Sequence, residues 1–265
     1  MNLKIALPIG LCAFAGAISL QAQTTYSVDF NTPGDLDTYF NNWTGGSVPL
    51  VQDTSSGLGG SGGLTVDLGN DQGLAIYKQG FSLAAGNTFT ISAFYNDQHD
   101  SGYGGLGLSA TPLGAQVAYD VAPANSVGVS AHAGGMIFDD TVGTDNSGAQ
   151  YPSYGGDIPA NQWYKIVDQI TFTGSQFNSI FSIYNSDANG NVGSLVHTES
   201  ASQANSVLAG GTEVYAYIGA AGDRMSEIDG FSATTDAVPV PTPEPGTIAL
   251  CALGGAGLLG LRRRK

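Results

Sequence analysis

The chain has 265 residues, 42% of them hydrophobic, with 22 acidic residues against 8 basic ones and a formal net charge of −14. That length can build one sizeable core from burial alone, and the charge excludes nucleic acid and anionic lipid surfaces as partners, because both would repel it. The two cysteines, Cys12 and Cys251, fall in apolar runs at the two ends, so the segment between them folds without disulfides.

Met1-Asn2-Leu3-Lys4 supplies one positive charge before an apolar run from Ile5 to Leu20, and Ser19-Leu20-Gln21-Ala22 offers a cleavage site. A run this short and this rich in glycine and alanine predicts a secretory signal peptide, residues 1–22, cut by signal peptidase after Ala22. A retained N-terminal anchor is the alternative.

From Thr24 onward the pattern is that of strands. Short alternating runs are split by Gly, Asn, Asp and Ser, and no long stretch has helical apolar spacing. The runs begin at Tyr26, Leu64, Leu74, Thr88, Ala115, Val127, Met136, Trp163, Ile180, Leu195, Val214 and Ile228. The Thr88 run alternates over eight residues, and Trp163, Ile166, Ile170 and Phe172 are the expected anchors of the Trp163 run. This many strands with evenly spaced turns predicts an all-β fold, a two-sheet β-sandwich of jelly-roll type. One domain is expected over 24–236. Residues 24–243 hold three basic and twenty-one acidic residues, a charge of −18, which suits an exported domain kept soluble by its acidity or one that meets divalent cations.

The chemistry-bearing residues are sparse. His99, His132 and His197 are far apart, no Gly-x-Ser-x-Gly elbow occurs, and no cysteine lies in the domain, so neither a transition-metal site nor a nucleophilic triad is expected. Asp187, Asn189 and Asn191 alternate as calcium-loop oxygens do, although the same stretch reads as an Asn-Gly turn. Asp29 and Asp229, on the first and last strands, form a second calcium candidate if those strands are neighbours. Sugar platforms pair aromatic rings with polar groups. Tyr95, Asp97 and Tyr103 around one loop, and Tyr151 and Tyr154 around another, have that composition.

The tail has three parts. A proline-rich linker, 237–245, contains Pro243-Glu244-Pro245; an uncharged stretch of sixteen residues follows, Gly246 to Leu261; Arg262-Arg263-Arg264-Lys265 ends the chain. The prolines predict an extended, accessible spacer. The stretch 246–261 predicts a short transmembrane helix of about 24 Å, and the basic cluster 262–265 predicts a cytoplasmic stop-transfer end.

These parts, in this order from Val238 to Lys265, resemble the PEP-CTERM sorting signal. The resemblance implies that Pro243, Glu244 and Pro245 are recognised by an exosortase-like membrane enzyme, and that the protein then reaches the cell surface or extracellular matrix. A weaker resemblance joins Trp163-Tyr164-Lys165-Ile166, the Asp187–Gly190 turn and Ile228-Asp229-Gly230-Phe231 to the laminin-G/concanavalin-A jelly roll. It implies a glycan-binding role, and the tie of the PEP-CTERM family to bacteria that make exopolysaccharide makes that polymer the expected ligand. Laminarinase-type enzymes of that architecture use Glu-x-Asp-x-x-Glu on one strand. Glu227-x-Asp229 begins that pattern and Ser232 breaks it, so the expectation is a non-enzymatic surface or matrix protein. A carbohydrate-active enzyme and a structural envelope protein without a glycan ligand are the alternatives.

Overall fold

The computed structural model describes residues 22–42, 49–66, 71–97, 103–112, 123, 125–132, 139–140, 149–150, 162–222 and 226–241. The expected signal peptide up to Gln21, the motif Pro243–Pro245, the expected membrane stretch, the basic end, Tyr151 and Tyr154 lie outside these residues, as do the runs begun at Ala115 and Met136. Among the described residues no helix is long and apolar enough to cross a membrane.

The strands in chain order are β1 (Thr24–Val28), β2 (Phe40–Asn42), β3 (Val51–Asp53), β4 (Gly63–Thr65), β5 (Asp71–Ser82), β6 (Thr88–Asp97), β7 (Tyr103–Ser109), β8 (Ser126–His132), β9 (Asp139–Asp140), β10 (Ala149–Gln150), β11 (Trp163–Phe172), β12 (Phe177–Ser186), β13 (Val192–Gln203), β14 (Glu213–Gly222) and β15 (Ser226–Thr235). Two one-turn helices, α1 (Asp35–Tyr39) and α2 (Ser206–Gly210), accompany them. An eight-stranded antiparallel sheet runs β13-β12-β11-β6-β15-β4-β3, with β1 also on β15; a five-stranded one runs β2-β5-β14-β7-β8.

The alternation seen in the sequence explains the layering, because every second side chain of a strand faces the same way. On β11 Tyr164, Ile166, Ile170 and Phe172 are buried while Gln169 faces solvent. Asp168 shares the buried face and accepts a hydrogen bond from Ser179 Oγ on β12. Inward residues of the large sheet, Phe89, Ile91, Phe181 and Phe231 among them, join Phe40, Tyr77, Phe81, Leu106 and Ile218 of the small sheet in one core. The two sheets therefore form a β-sandwich. Burying each of the large apolar side chains contributes roughly 1.5–3 kcal/mol.

β15 is the hub of the large sheet. β6 pairs along one edge. The other edge is shared: β4 takes Glu227 and Ile228, and β1 takes Phe231 to Thr235. The ladder to β6 slips between Asp229 and Ser232. Gly230 sits in that slip at φ +59°, where an added Cβ would come within 3.0 Å of the Phe94 ring. Only glycine adopts this conformation without strain, and the extra residue lets both Ile228 and Phe231 reach the core.

The chain leaves β15 by crossing to the other sheet. Thr235 Oγ1 donates to the Thr88 carbonyl (2.8 Å), and the Thr88 amide donates to Asp236 Oδ1 (2.8 Å). Ala237 is buried. Pro239 then bridges Phe81 at the end of β5. Backbone pairing thus includes Val240, so the first residues of the expected spacer belong to the sandwich rim.

A cleft between the first strand and the last

β1 ends at Val28 because the chain reverses there. Phe30 takes φ +55°, a conformation that is costly for a bulky residue. Two contacts stabilise it. Its ring is buried against Phe40 at 5.7 Å, and Gln52 Nε2 donates to its carbonyl at 2.7 Å. Gln52 does more. Nε2 also donates to the Thr32 carbonyl (2.8 Å), while Oε1 accepts from the amides of Gly34 (3.2 Å) and Leu36 (3.1 Å). One side chain on β3 therefore fixes the whole turn that leads into α1.

That turn forms one wall of a cleft of about 330 Å³. Thr32, Asp35 and Tyr39 line this wall; Ser27, Val28 and Asp29 of the β1 end line the other; Gly230, Phe231 and Ser232 of the β15 slip complete it. Tyr39 is 42% exposed. Among the described residues no lysine or arginine lines the cleft. Lys78 donates instead to the carbonyls of Asp37 and Thr38 at the end of α1, and Lys165 lies 5.3 Å from the centre of the Phe94 ring. The cleft is thus an open, hydroxyl-rich and anionic groove with one exposed aromatic ring.

The expected neighbourhood of Asp29 and Asp229 is present, since β1 and β15 pair with Val28 opposite Phe231. The two carboxyls are held differently. The Asn31 side chain and amide keep Asp29 below the ordinary 3.8. Asp229, only 4% exposed, lies beneath the glycine loop 57–62. It accepts from the Leu58 amide (2.9 Å), Ser61 Oγ (3.2 Å) and the Gly230 amide (2.6 Å). Burial pushes its pKa up despite these donors, and the Asp29 charge adds to the rise.

A carboxyl whose folded pKa lies above the unfolded one stabilises the fold below the unfolded value. That contribution is lost as pH rises through the folded value. Asp229 therefore contributes a decline of stability with pH starting near 3.8, and Asp29, with its depressed pKa, contributes one on acidification. Asp29→Asn is expected to bring the Asp229 pKa down, and Asp229→Asn to flatten the decline above 3.8. Carboxyl NMR titration and denaturation midpoints across pH check both. An Asp229 pKa that ignores Asp29→Asn would show that the two groups do not interact.

The other calcium candidate is a turn. Asp187 Oδ1 accepts from the amides of Asn189 and Asn191 (both 2.9 Å), and Oδ2 accepts from Asn191 Nδ2 (2.7 Å). Gly190 closes the turn at φ +81°, joining β12 to β13. The Asp29, Asp229 and Asp187 carboxyls are thus turned towards N–H and O–H donors, which do not fit a cation, and among the described residues no group of three or more His, Cys, Asp or Glu side chains that could hold a metal ion is gathered.

Of the expected sugar platforms, Tyr95 is corrected by its burial. It stands on the same face of β6 as Phe89, Ile91 and Ala93 and is 5% exposed in the core, with its ring against Gly104. Asp97 and Tyr103 end β6 and open β7. Asp35, Tyr39 and Gln52 were not singled out by the sequence.

Residues 241–265 match the family model described as the PEP-CTERM protein-sorting motif. The chain carries that motif, which implies export and C-terminal anchoring or processing. No curated protein matches the chain. Among solved structures it is similar to lectin II from Ulex europaeus, with 11% identity over 80% of this chain and 98% of that one and a TM-score of 0.49. It is also similar to the peanut lectin with a 9mer peptide, at 10% identity over 83% of this chain and 100% of that one, TM-score 0.45.

Proposed function

We propose that the protein is an exported, non-enzymatic surface or matrix protein, processed at its tail by an exosortase-like enzyme, whose sandwich binds exopolysaccharide through the cleft between β1, α1 and β15. The observation that carries the reading is the sorting motif at 241–265 on a β-sandwich with an open polar cleft. Tyr39 offers a sugar ring an apolar face, and Ser27, Thr32, Ser232, Asp29 and Asp35 offer hydroxyls and carboxylates that bond to sugar hydroxyls. The two carboxylates, with no cation lining the cleft among the described residues, favour neutral or amine-bearing glycans over acidic ones. An open cleft binds weakly, and repeated sugar units on one polymer raise the retention.

Glu227 and Asp229, the two carboxylates of the broken enzyme pattern, are 8% and 4% exposed. Asn96 Nδ2 donates to Glu227 at 2.9 Å. Their enclosure supports binding over catalysis.

Co-sedimentation of the exported protein, purified in detergent, with the host's own exopolysaccharide tests the reading. Retention is expected to fall about fivefold on Tyr39→Ala and to be weak on an acidic polysaccharide. Arms with calcium and with chelator separate cation bridging from direct binding. Equal retention of Tyr39→Ala and the wild type would remove the cleft from the reading. No retention in any arm would leave a structural protein.

A further inference from the structure

The last described residues bear on how the sorting motif is reached. Three hydrogen bonds fasten Val238–Val240 to the free end of β5. The Ser82 amide donates to the Val238 carbonyl and the Val240 amide to the Gly80 carbonyl, both at 2.8 Å. Gln79 Nε2 donates to the Val240 carbonyl at 2.8 Å as well as to that of Gly80. Pro239 lies opposite Phe81, at the position between these bonds where the ladder needs no N–H. The segment fills the sheet edge that β2 covers further along, since β2 pairs only from Ala75 to Tyr77.

This strand is held by its backbone and little else. Val238 is half exposed, and the nearest apolar anchor is Ala237. Asp236, bound to the Thr88 amide and to Asn87 Nδ2, anchors the chain just before it. A peel that starts at the membrane side therefore runs through Val240, Pro239 and Val238 and stops at Ala237.

Only Pro241 and Thr242 separate the clamped Val240 from Pro243. An enzyme that takes a segment as an extended peptide pairs with several residues of its backbone. Upstream of the motif that backbone is already paired to the protein's own sheet.

We propose that Val238–Val240 is a releasable closing strand, and that processing at the motif draws on the fraction of molecules in which it has left the edge of β5. This rests on the sorting reading above. The closed form shields the upstream side of the motif and holds the domain close to the bilayer. Opening frees three more residues of spacer and exposes the edge of β5.

The test uses the full chain in its host, with pulse-chase of the processed fraction, and hydrogen exchange at the Ser82 amide of the full chain in detergent. Val240→Pro removes one anchoring donor, and Gln79→Ala removes the side-chain bond; both positions precede the 241–265 match. Each is expected to speed processing about fivefold and to speed Ser82 exchange by a similar factor. Inserting Gly-Ser-Gly-Ser after Val240 is expected to speed processing while leaving Ser82 exchange unchanged. Unchanged processing in all three, with Glu244→Ala blocked, would overturn the gate and leave the sorting reading intact. Normal processing of Glu244→Ala would sink the sorting reading and the gate together. Ser82 exchanging in the wild type as fast as an unpaired amide would show that the closing strand itself is absent.

Discussion

Phe231→Ala is expected to cost about 3–5 kcal/mol of folding stability, about a fifth or more of what a folded domain commonly has. The ring has no exposure and stands where the two sheets meet. Its centre is 5.1 Å from that of Phe40, edge to face, and 5.3 Å from that of Tyr77. From there the aromatic contacts continue: Phe40 to Phe30 at 5.7 Å, Tyr77 to Tyr26 at 6.2 Å, Tyr26 to Phe81 at 5.3 Å. Truncation removes the burial of one large side chain and opens a void among rings too large to collapse into it. Leucine refills most of the space and is expected to cost about 1.5 kcal/mol. Denaturant titration of both variants decides the matter. A loss below about 1 kcal/mol for alanine would mean that these rings do not form one packed unit.

Gln52→Leu is expected to be the second most damaging change, at about 2–3 kcal/mol. The amide group serves four backbone partners: the carbonyls of Phe30 and Thr32 and the amides of Gly34 and Leu36. Those at Phe30 and Leu36 are partly shielded from water, so the leucine variant leaves them without a partner, and an orphaned shielded group costs about 1–3 kcal/mol. The left-handed Phe30 also loses the bond that offsets its conformation. The damage is local and reaches the cleft proposed to bind glycan, because the turn carries Thr32, Asp35 and Tyr39 of its wall. Gln52→Glu separates the two halves of the role. A carboxylate still accepts from Gly34 and Leu36 but repels the two carbonyls, so an intermediate loss is expected. Glutamate and leucine variants that denature alike would assign the whole effect to the Nε2 donors.

The strands were legible because their signal is local. Alternation from Thr88 to Tyr95 and from Trp163 to Phe172 places each side chain on a face, and β6 and β11 follow it. The same alternation, applied strictly, would have put Tyr95 inside with Phe89, Ile91 and Ala93; reading it as part of a loop platform weighed composition over period. α1 left no periodic trace, being five residues long. The juxtaposition of Asp29 and Asp229 was visible only as a condition on two strands 200 residues apart in the chain. Gln52 left no signal at all: its partners lie 16 to 22 residues upstream, and a glutamine in a polar run looks like any solvated side chain. The spacer was misjudged at its start because prolines argue against sheet pairing, yet an edge position between ladder bonds tolerates one at Pro239.

The place of β15 also orders events in time. Its neighbours β1, β4 and β6 are made early in the chain, yet each waits for a strand that ends at Thr235 before its edge is filled. Such distant pairings form late and slowly. A chain emerging from its N-terminus keeps Phe40 and Tyr77 without Phe231, the ring that completes their cluster, until almost the whole domain has appeared. The half-made chain is expected to stay loose, and the sandwich to close only once the segment next to the tail has appeared.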